Sequence, residues 1–228
     1  MGLERIDPAA SLRGKVEDAL AAAIISGEMP PGEMFSAPTL ASMFNVSATP
    51  VREAMLNLEK RGFVEAVRNK GFRVTHVTDD DLREIVTVRQ LLEPQSMYEL
   101  AMRFPREKTP ELRVLADNIV NGARIGDLRS YLAADHVFHV ALLEFLGNRF
   151  LVEVVANLRS RTRLTGLVNM LRTETLDKSA AEHHELLDLL DRGDGAGARD
   201  LMMRHIGHVV GWWAGRAEEA EGPSHAQS

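Results

Sequence analysis

The segment at residues 40–62 constrains the fold of this chain most, because it places two short helices on either side of a tight turn. Apolar residues at helical spacing stop at Asn45, a residue that tolerates turn conformations. Ser47 stands where the next helix needs an N-cap, and Pro50 falls in its first turn, where the missing N–H costs nothing. Gly62 is placed to end that helix. This order predicts a helix-turn-helix motif.

The second helix of the motif has one apolar face and one polar face. The residues expected to be buried are Val51, Ala54, Met55 and Leu58, and those expected to be free are Thr49, Arg52, Glu53 and Asn57. A free polar face on the second helix is typical of a helix that enters the major groove of DNA.

After Gly62 the apolar pattern changes from helical to alternating, which predicts strands at residues 63–67 and 72–77. Between them lies a short, basic, glycine-ended tip, suited to a phosphate backbone or a minor groove. With an amphipathic helix upstream, the sequence predicts a winged helix-turn-helix domain over residues 1–77, with a small β-hairpin as its wing.

Several short motifs in this domain resemble the GntR family of bacterial transcription regulators. They are Pro31-Gly32-Glu33, Leu40-Ala41, Val46-Ser47, Thr49-Pro50-Val51-Arg52-Glu53-Ala54 and Gly71-Phe72. The resemblance implies binding to double-stranded DNA through Thr49, Arg52, Arg68, Asn69, Lys70 and Gly71. Pro38 and Ala48 stand where members of the family often carry arginine, so fewer phosphate contacts and a shallower salt dependence are expected. The alternative is a winged helix that binds protein.

Composition allows this interpretation. The net charge of −6 belongs to the region after residue 78, because residues 1–78 contain nine basic and nine acidic residues. The chain has no cysteine, which excludes disulfides and thiolate metal sites. It also shows no signal peptide and no apolar run of membrane length, so we expect a cytoplasmic protein that is not bound to a membrane.

Residues 78–217 read as helical throughout, and Thr78 to Asp81 resembles a capping box at the start. Proline and glycine divide the region into six predicted helices: 79–103, 109–124, 127–146, 148–171, 174–192 and 194–217. Short connections predict an antiparallel bundle, so the whole chain is expected to be mostly α-helical. Residues 218–228 are rich in Glu, Gly, Ser and Pro and predict a disordered tail.

Four residues of the bundle suggest a metal site. Asp135 and His139 are four residues apart and therefore share one helix face, while His183 and His205 belong to two later helices. Three imidazoles and one carboxylate suit a divalent ion such as zinc, with nickel or manganese as alternatives. Spacing alone leaves open a coincidence of separate histidines, and a shift of one residue would exchange His183 for His184.

The same region resembles the FCD domain, the helical effector module of one GntR branch that includes FadR-like and VanR-like regulators. The resemblance is carried by Asp135-x-x-Phe138-His139, Asn148, Glu182-His183, Gly193-Asp194, Ala198 and His205-Ile206. It implies that Asp135, His139, His183 and His205 bind the metal and that a small carboxylate is the effector. The count of six helices favours the VanR-like subdivision.

An arginine is expected to complete an acid pocket. Arg89 matches a position that is usually arginine in the family, which makes it the candidate for effector binding, but an ion pair with Glu93 at i+4 explains it equally well. Arg161 and Arg163 are weaker candidates. The four arginines at positions 159, 161, 163 and 172 are expected to form a solvated or dimer-facing surface.

The resulting hypothesis is a homodimeric regulator, most simply a repressor, that binds a palindromic operator and responds to an organic acid at the metal. Two alternatives are a metal-dependent hydrolase on a helical bundle and a regulator whose metal is purely structural. The hydrolase lacks a convincing base or nucleophile near the ligands and leaves the winged helix unexplained, so we do not expect an enzyme.

Overall fold

The computed structural model describes residues 12–162 and 174–209 of the 228-residue chain. The chain divides into two compact units, Met1–His76 and Val77–Ser228. The predicted helical segments at 163–171 and 210–217 and the predicted tail at 218–228 lie outside the described residues.

Within residues 12–76, the first unit contains three helices and a small sheet. Its elements are α1 (Leu12–Ser26), β1 (Met34–Phe35), α2 (Ala37–Phe44), α3 (Ala48–Lys60), β2 (Val64–Val67) and β3 (Gly71–Val74). Asn45 caps α2 in the left-handed conformation, with a φ of 53°. Ser47 occupies the N-cap position of α3. The predicted helix-turn-helix motif, with its turn at Asn45 and its N-cap at Ser47, is therefore confirmed.

The predicted apolar stripe forms the centre of this unit. Val51, Ala54, Met55 and Leu58 are all fully buried. α3 packs against α1, α2 and β2. Because the stripe takes up one side of α3, the opposite side of this helix is free of core packing.

The sheet has three antiparallel strands in the order β1-β3-β2, one more than the predicted hairpin. The hairpin pairs Val64 with Val74, and β1 pairs Phe35 with Phe72. Two residues are too few to show an alternating pattern, so β1 had no sequence signal. At the hairpin tip, Gly71 has a φ of +121° and a Cβ there would contact the Phe35 carbonyl oxygen, so this close approach requires glycine.

The second unit is a helical bundle. Its elements within the described residues are α4 (Asp79–Ala101), a 3₁₀ turn (Arg106–Lys108), α5 (Thr109–Ile125), α6 (Leu128–Glu144), α7 (Arg149–Thr162), α8 (Glu174–Arg192) and α9 (Gly195–Gly207). The Thr78 side chain and the Asp81 backbone and carboxylate form the predicted reciprocal capping box. The mostly α-helical fold class is confirmed.

Within this bundle, α4 packs most extensively against α9, and α5 packs against both α6 and α8. Tyr131, Phe138 and Leu142 of α6 and Leu187 of α8 are fully buried and fill the space between the helices. α6, α8 and α9 thereby present their inner faces to one common region. Among the described helices, none is long and apolar enough to cross a membrane.

Candidate metal centre and nucleic-acid interface

The four predicted ligand residues come together in the centre of the bundle. α6 contributes Asp135 and His139, α8 contributes His183 and α9 contributes His205; one donor atom from each lies within 4.8 Å of the others. All four side chains are buried, with residue exposures between 1% and 5%. We refer to these residues as the Asp-His cluster.

Three of the donor atoms lie in close contact. The Nε2 atoms of His139 and His183 are 3.1 Å apart. Asp135 Oδ1 lies 3.3 Å from His183 Nε2 and 3.5 Å from His139 Nε2. Phe138 packs edge-on against both rings, with centroid distances of 5.3 Å to His139 and 5.1 Å to His183. The rings are thus fixed by packing as well as by polar contacts.

The outer ring nitrogens show which atoms face inward. His183 Nδ1 lies 3.0 Å from the carbonyl oxygen of Ala180, which can only accept, so this nitrogen carries the proton. His205 Nδ1 lies 2.7 Å from a carboxylate oxygen of Glu182 and is a donor by the same reasoning. In the neutral imidazoles, Nε2 therefore carries the lone pair that faces the cluster.

Glu182 supports the cluster from outside. In addition to His205, it contacts His208 Nε2 at 3.0 Å, and His208 is a buried, hydrogen-bonded core residue. Burial alone would raise the pKa of Glu182, but the hydrogen bonds with His205 and His208 lower it overall, so the carboxylate is charged. A carboxylate that holds the far nitrogen of a ligating histidine fixes both its tautomer and its ring orientation.

The electrostatics of the cluster favour the metal-binding protonation states. Burial would raise the pKa of the Asp135 carboxyl, but Arg159 and His139 hold it well below its usual range. Burial, together with the charge of Arg159, lowers the pKa of His139 well below its usual value. Burial lowers the pKa of His205 to about 4, although the hydrogen bond that His205 donates to Glu182 acts in the opposite direction. At neutral pH Asp135 is therefore a charged carboxylate and His139 and His205 are neutral, the forms that bind metal ions.

The donor set fits a divalent cation. Ligand atoms at about 2.0–2.2 Å from one ion lie about 3–4 Å from one another, and the measured separations of 3.1, 3.3 and 3.5 Å fall in that range. Lone pairs and a carboxylate facing one another in a buried space repel unless a cation lies between them. Three nitrogens and one oxygen suit zinc, nickel or manganese.

A buried chain of alternating charges joins the cluster. Arg159 donates from one Nη to Glu93 at 2.6 Å and from the other to Asp135 at 3.2 Å. Arg89 Nε donates to the same Glu93 at 2.6 Å. Arg89 therefore makes the ion pair that was one of its two predicted roles. The direct contact with Asp135 belongs to Arg159.

The prediction that Arg159 belongs to a solvated or dimer-facing surface was wrong, because this residue is only 3% exposed. Arg161 is exposed, and Arg163 and Arg172 lie outside the described residues. Arg159 follows Val155 and precedes Thr162 on one buried face of α7. That spacing of four and three residues was the available signal, because it places the arginine on the inner stripe of the helix.

His183 and His184, the two alternative ligands, occupy different places in the structure. His183 belongs to the Asp-His cluster, while His184 Nε2 lies 3.1 Å from Asp117 at the margin of the bundle. Sequence reasoning gave no supporting role to Glu182, although it directly precedes His183. A carboxylate next to a candidate ligand was the signal for that role.

In the first unit, the exposed residues of α3 include Thr49, Arg52 and Glu53, and Arg68, Asn69 and Lys70 are exposed at the hairpin tip. Asn57 is half-buried and donates to Glu17 at 3.0 Å, so the expectation that it is free was wrong. Arg61 also pairs with Glu17, at 2.9 Å. These two residues fasten α3 to α1.

The charges on this face fall into two groups. Arg61 and Arg73 are neutralised by Glu17 and Glu65, each at 2.9 Å. For Arg52, Arg68 and Lys70, no ion-pair partner is found in the part of the chain that the structure describes. Unpaired cations on an exposed helix and an exposed hairpin tip are suited to phosphate contacts.

Comparison with known proteins gives two family matches. Residues 12–74 match the gntR family of bacterial regulatory proteins, and residues 84–208 match the FCD domain. The HTH-type transcriptional regulator YdhC of Bacillus subtilis is 28% identical over 81% of this chain and 83% of its own length. The probable D-xylose utilization operon transcriptional repressor of Paenarthrobacter nicotinovorans is 28% identical over 86% of both chains. The solved structure of Escherichia coli McbR/YncC has a TM-score of 0.73 at 24% identity and covers 90% of this chain and 97% of its own, so it shares the fold.

Replacing Glu182 tests the supporting role of this carboxylate. In Glu182→Gln the amide cannot hold both His205 and His208 as a charged acceptor, so we expect metal affinity to fall about 10- to 100-fold. Competition with a chromogenic chelator measures it. Glu185→Gln is the matched control, because Glu185 lies on the same helix with a 57% exposed side chain. Equal affinities for the two variants would contradict the role of Glu182.

Proposed function

Because this chain belongs to the GntR family of bacterial transcription regulators and carries its FCD domain, we propose that a divalent metal and a small organic acid control its DNA affinity. DNA-binding regulation follows from the family, whose members are regulators and not enzymes. The observation that supports the proposed metal and acid is the Asp-His cluster, whose four buried donor atoms all lie within 4.8 Å of one another.

The proposed metal ligands are Asp135, His139, His183 and His205. Three features support this set: the donor atoms lie close together, the ring lone pairs face inward, and the Glu182 carboxylate holds the outer nitrogen of His205. Zinc is the first choice for a site of three nitrogens and one oxygen, and nickel or manganese fits the same donors. When bound, the ion supplies a positive centre for an anion.

The proposed acid effector is supported by the charged groups around the cluster. An ion that accepts five or six ligands keeps positions open beyond the four protein donors, and a carboxylate can fill them. Arg159 already contacts Asp135 and brings a guanidinium to the edge of the cluster. Arg89 takes part indirectly, because it holds Glu93, which in turn holds Arg159.

For DNA, we propose that α3 enters the major groove and the hairpin tip follows the backbone or minor groove. The proposed contacts are Thr49, Arg52, Arg68, Asn69, Lys70 and Gly71. A homodimer on a palindromic operator is the symmetric arrangement that suits such a unit. The Paenarthrobacter relative is named as a repressor, which favours repression as the mode of action.

The neighbouring histidines provide a paired test of the metal site. His183→Ala removes a proposed ligand, so we expect the purified protein to lose most of its bound metal. His184→Ala removes a side chain that pairs with Asp117 outside the cluster, and its metal content is expected to stay at the wild-type level. Elemental analysis measures both, with circular dichroism as the check on folding. Full occupancy in a folded His183→Ala variant would contradict the site.

The salt dependence of DNA binding tests the proposed phosphate contacts. Arg52→Ala should weaken binding to the fragment upstream of the protein's own gene and reduce the slope of log K against log salt by about 1. Arg83→Ala removes the same charge from α4 and should leave the slope unchanged. Fluorescence anisotropy over a salt series gives both values. An unchanged slope for Arg52→Ala would remove Arg52 from the interface.

The coupling between acid and DNA is the third test. An acid that binds the zinc-loaded protein should change its DNA affinity about 5- to 150-fold, the usual range of coupling between sites. Calorimetry with butyrate, 2-hydroxybutyrate and succinate identifies binders, and anisotropy then measures the DNA affinity. Acid binding with unchanged DNA affinity would contradict the coupling. Acid binding unaffected by zinc removal, in a folded protein, would instead indicate a structural metal.

A further inference from the structure

The first turn of α3 carries only short side chains on its exposed surface. Ala48 and Thr49 are exposed, and Pro50 is half-buried. The buried stripe of α3 occupies the other side of the helix, and at about 3.6 residues per turn Thr49 lies almost opposite its centre. Because each Cα–Cβ bond tilts toward the helix N-terminus, the side chains of this turn lie ahead of the helix as it approaches a groove.

The long side chains of α3 that could read guanine are held elsewhere. Guanine presents two acceptors in the major groove, and long donors such as arginine bind them. The long donors of α3 are Arg52, Asn57 and Lys60. Asn57 donates to Glu17 at 3.0 Å, and Lys60 is the last residue of the helix. The proposed function assigns Arg52 to a phosphate, so within α3 no long donor is left for the bases below the first turn.

The groups that remain at the first turn are two methyl groups and one hydroxyl. Ala48 contributes its Cβ methyl, and Thr49 contributes its Cγ2 methyl and its Oγ1 hydroxyl. We call Ala48 and Thr49 the methyl tip.

The methyl tip can distinguish a T·A pair from a G·C pair. The 5-methyl group of thymine is the apolar group that base edges present in the major groove. A protein methyl against it removes apolar surface of both partners from water, which stabilises the contact. Against a G·C pair, the same protein methyl would cover polar atoms without giving them a hydrogen bond, which costs free energy.

In helix-turn-helix proteins, the N-terminal residues of the second helix contact the base edges. Resting on the proposed contact of α3 with the major groove, we propose that Ala48 and Thr49 are specificity-determining residues that contact the 5-methyl groups of thymines in each half-site. The protein thereby selects T·A pairs over G·C pairs below the first turn of α3. Arg52 contributes affinity through a phosphate, which carries no sequence information.

Deoxyuracil tests this contact, because it lacks the 5-methyl group and keeps the pairing groups of thymine. Duplexes are first selected from a random pool with the full-length wild-type protein. The selected sequence is then made once with thymine and once with deoxyuracil. We expect the wild-type protein to bind the deoxyuracil duplex at least about fourfold more weakly, since losing one buried methyl group costs about that factor. Fluorescence anisotropy measures both affinities.

The double variant Ala48→Gly, Thr49→Ser removes both methyl groups of the tip and keeps a hydroxyl at position 49. We expect its affinities for the two duplexes to differ by less than about twofold, because the two methyl deletions act on one contact. The control variant Ala196→Gly, Thr87→Ser removes the same groups from exposed positions in the first turn of α9 and on α4. It should retain the full wild-type difference. Circular dichroism confirms that each protein is folded.

The variant Ala48→Arg tests the same position in the opposite direction. An arginine side chain there can donate to both O6 and N7 of guanine, so we expect this variant to select a G·C pair in place of a T·A pair in each half-site. The rest of the selected sequence should stay the same. Selection of the wild-type sequence at every position would contradict the placement of the tip over a base edge.

Equal affinity of the wild-type protein for the thymine and deoxyuracil duplexes would overturn the inference, whether or not the variants fold. A difference of wild-type size in the folded double variant would also overturn it. In both cases sequence-selective DNA binding stands and only the role of the methyl tip fails. If the wild-type protein selects no sequence from the pool, the proposed contacts of α3 with DNA fail as well.

Discussion

The close approach of the four buried donors in the Asp-His cluster is the interaction around which α6, α8 and α9 are arranged. The donor atoms of Asp135, His139 and His183 lie 3.1–3.5 Å apart in a buried space, and His205 completes a set of four donors that all lie within 4.8 Å of one another. Such an arrangement stabilises a fold only when a cation balances it. Because α6, α8 and α9 each contribute to the cluster, a bound ion would act as a cross-link among three separate segments.

The groups around the cluster extend this connection through the unit. Glu182 of α8 accepts hydrogen bonds from His205 of α9 and from His208 at the C-terminal end of that helix. On the other side, Arg159 joins α7 to Glu93 of α4 and to Asp135 of α6. The cluster and these charged partners together connect α4, α6, α7, α8 and α9. The first unit is stabilised differently, because its core is apolar and its exposed cations without an ion-pair partner lie on α3 and the hairpin tip.

Local sequence patterns predicted most of the fold. Helix boundaries were correctly placed near Asn45, Gly62 and the Thr78 capping box, because each of these ends or begins a helix by its local backbone conformation or hydrogen bonds. The four cluster residues were recognised through resemblance, since spacing alone cannot place His183 and His205 beside Asp135. β1 was missed because a two-residue strand is defined only by its partner β3.

Charged residues were the harder part of the prediction. Arg159 was assigned to the surface because arginine is rarely buried, but Glu93 and Asp135 together satisfy its guanidinium. Such compensation depends on residues 66 and 24 positions away in the chain, which no local pattern reveals. For the same reason, Asn57 was expected to be free until Glu17 of α1 proved to be its partner.

The measurement that tests the central claim most directly is X-ray anomalous diffraction from crystals of the protein as purified. Data collected above and below the absorption edge of zinc identify the ion and its position. We expect one peak at about 2.0–2.2 Å from Asp135, His139, His183 and His205. Crystals of the folded, metal-loaded protein with the ion elsewhere, or a cluster held together without any metal, would contradict the account.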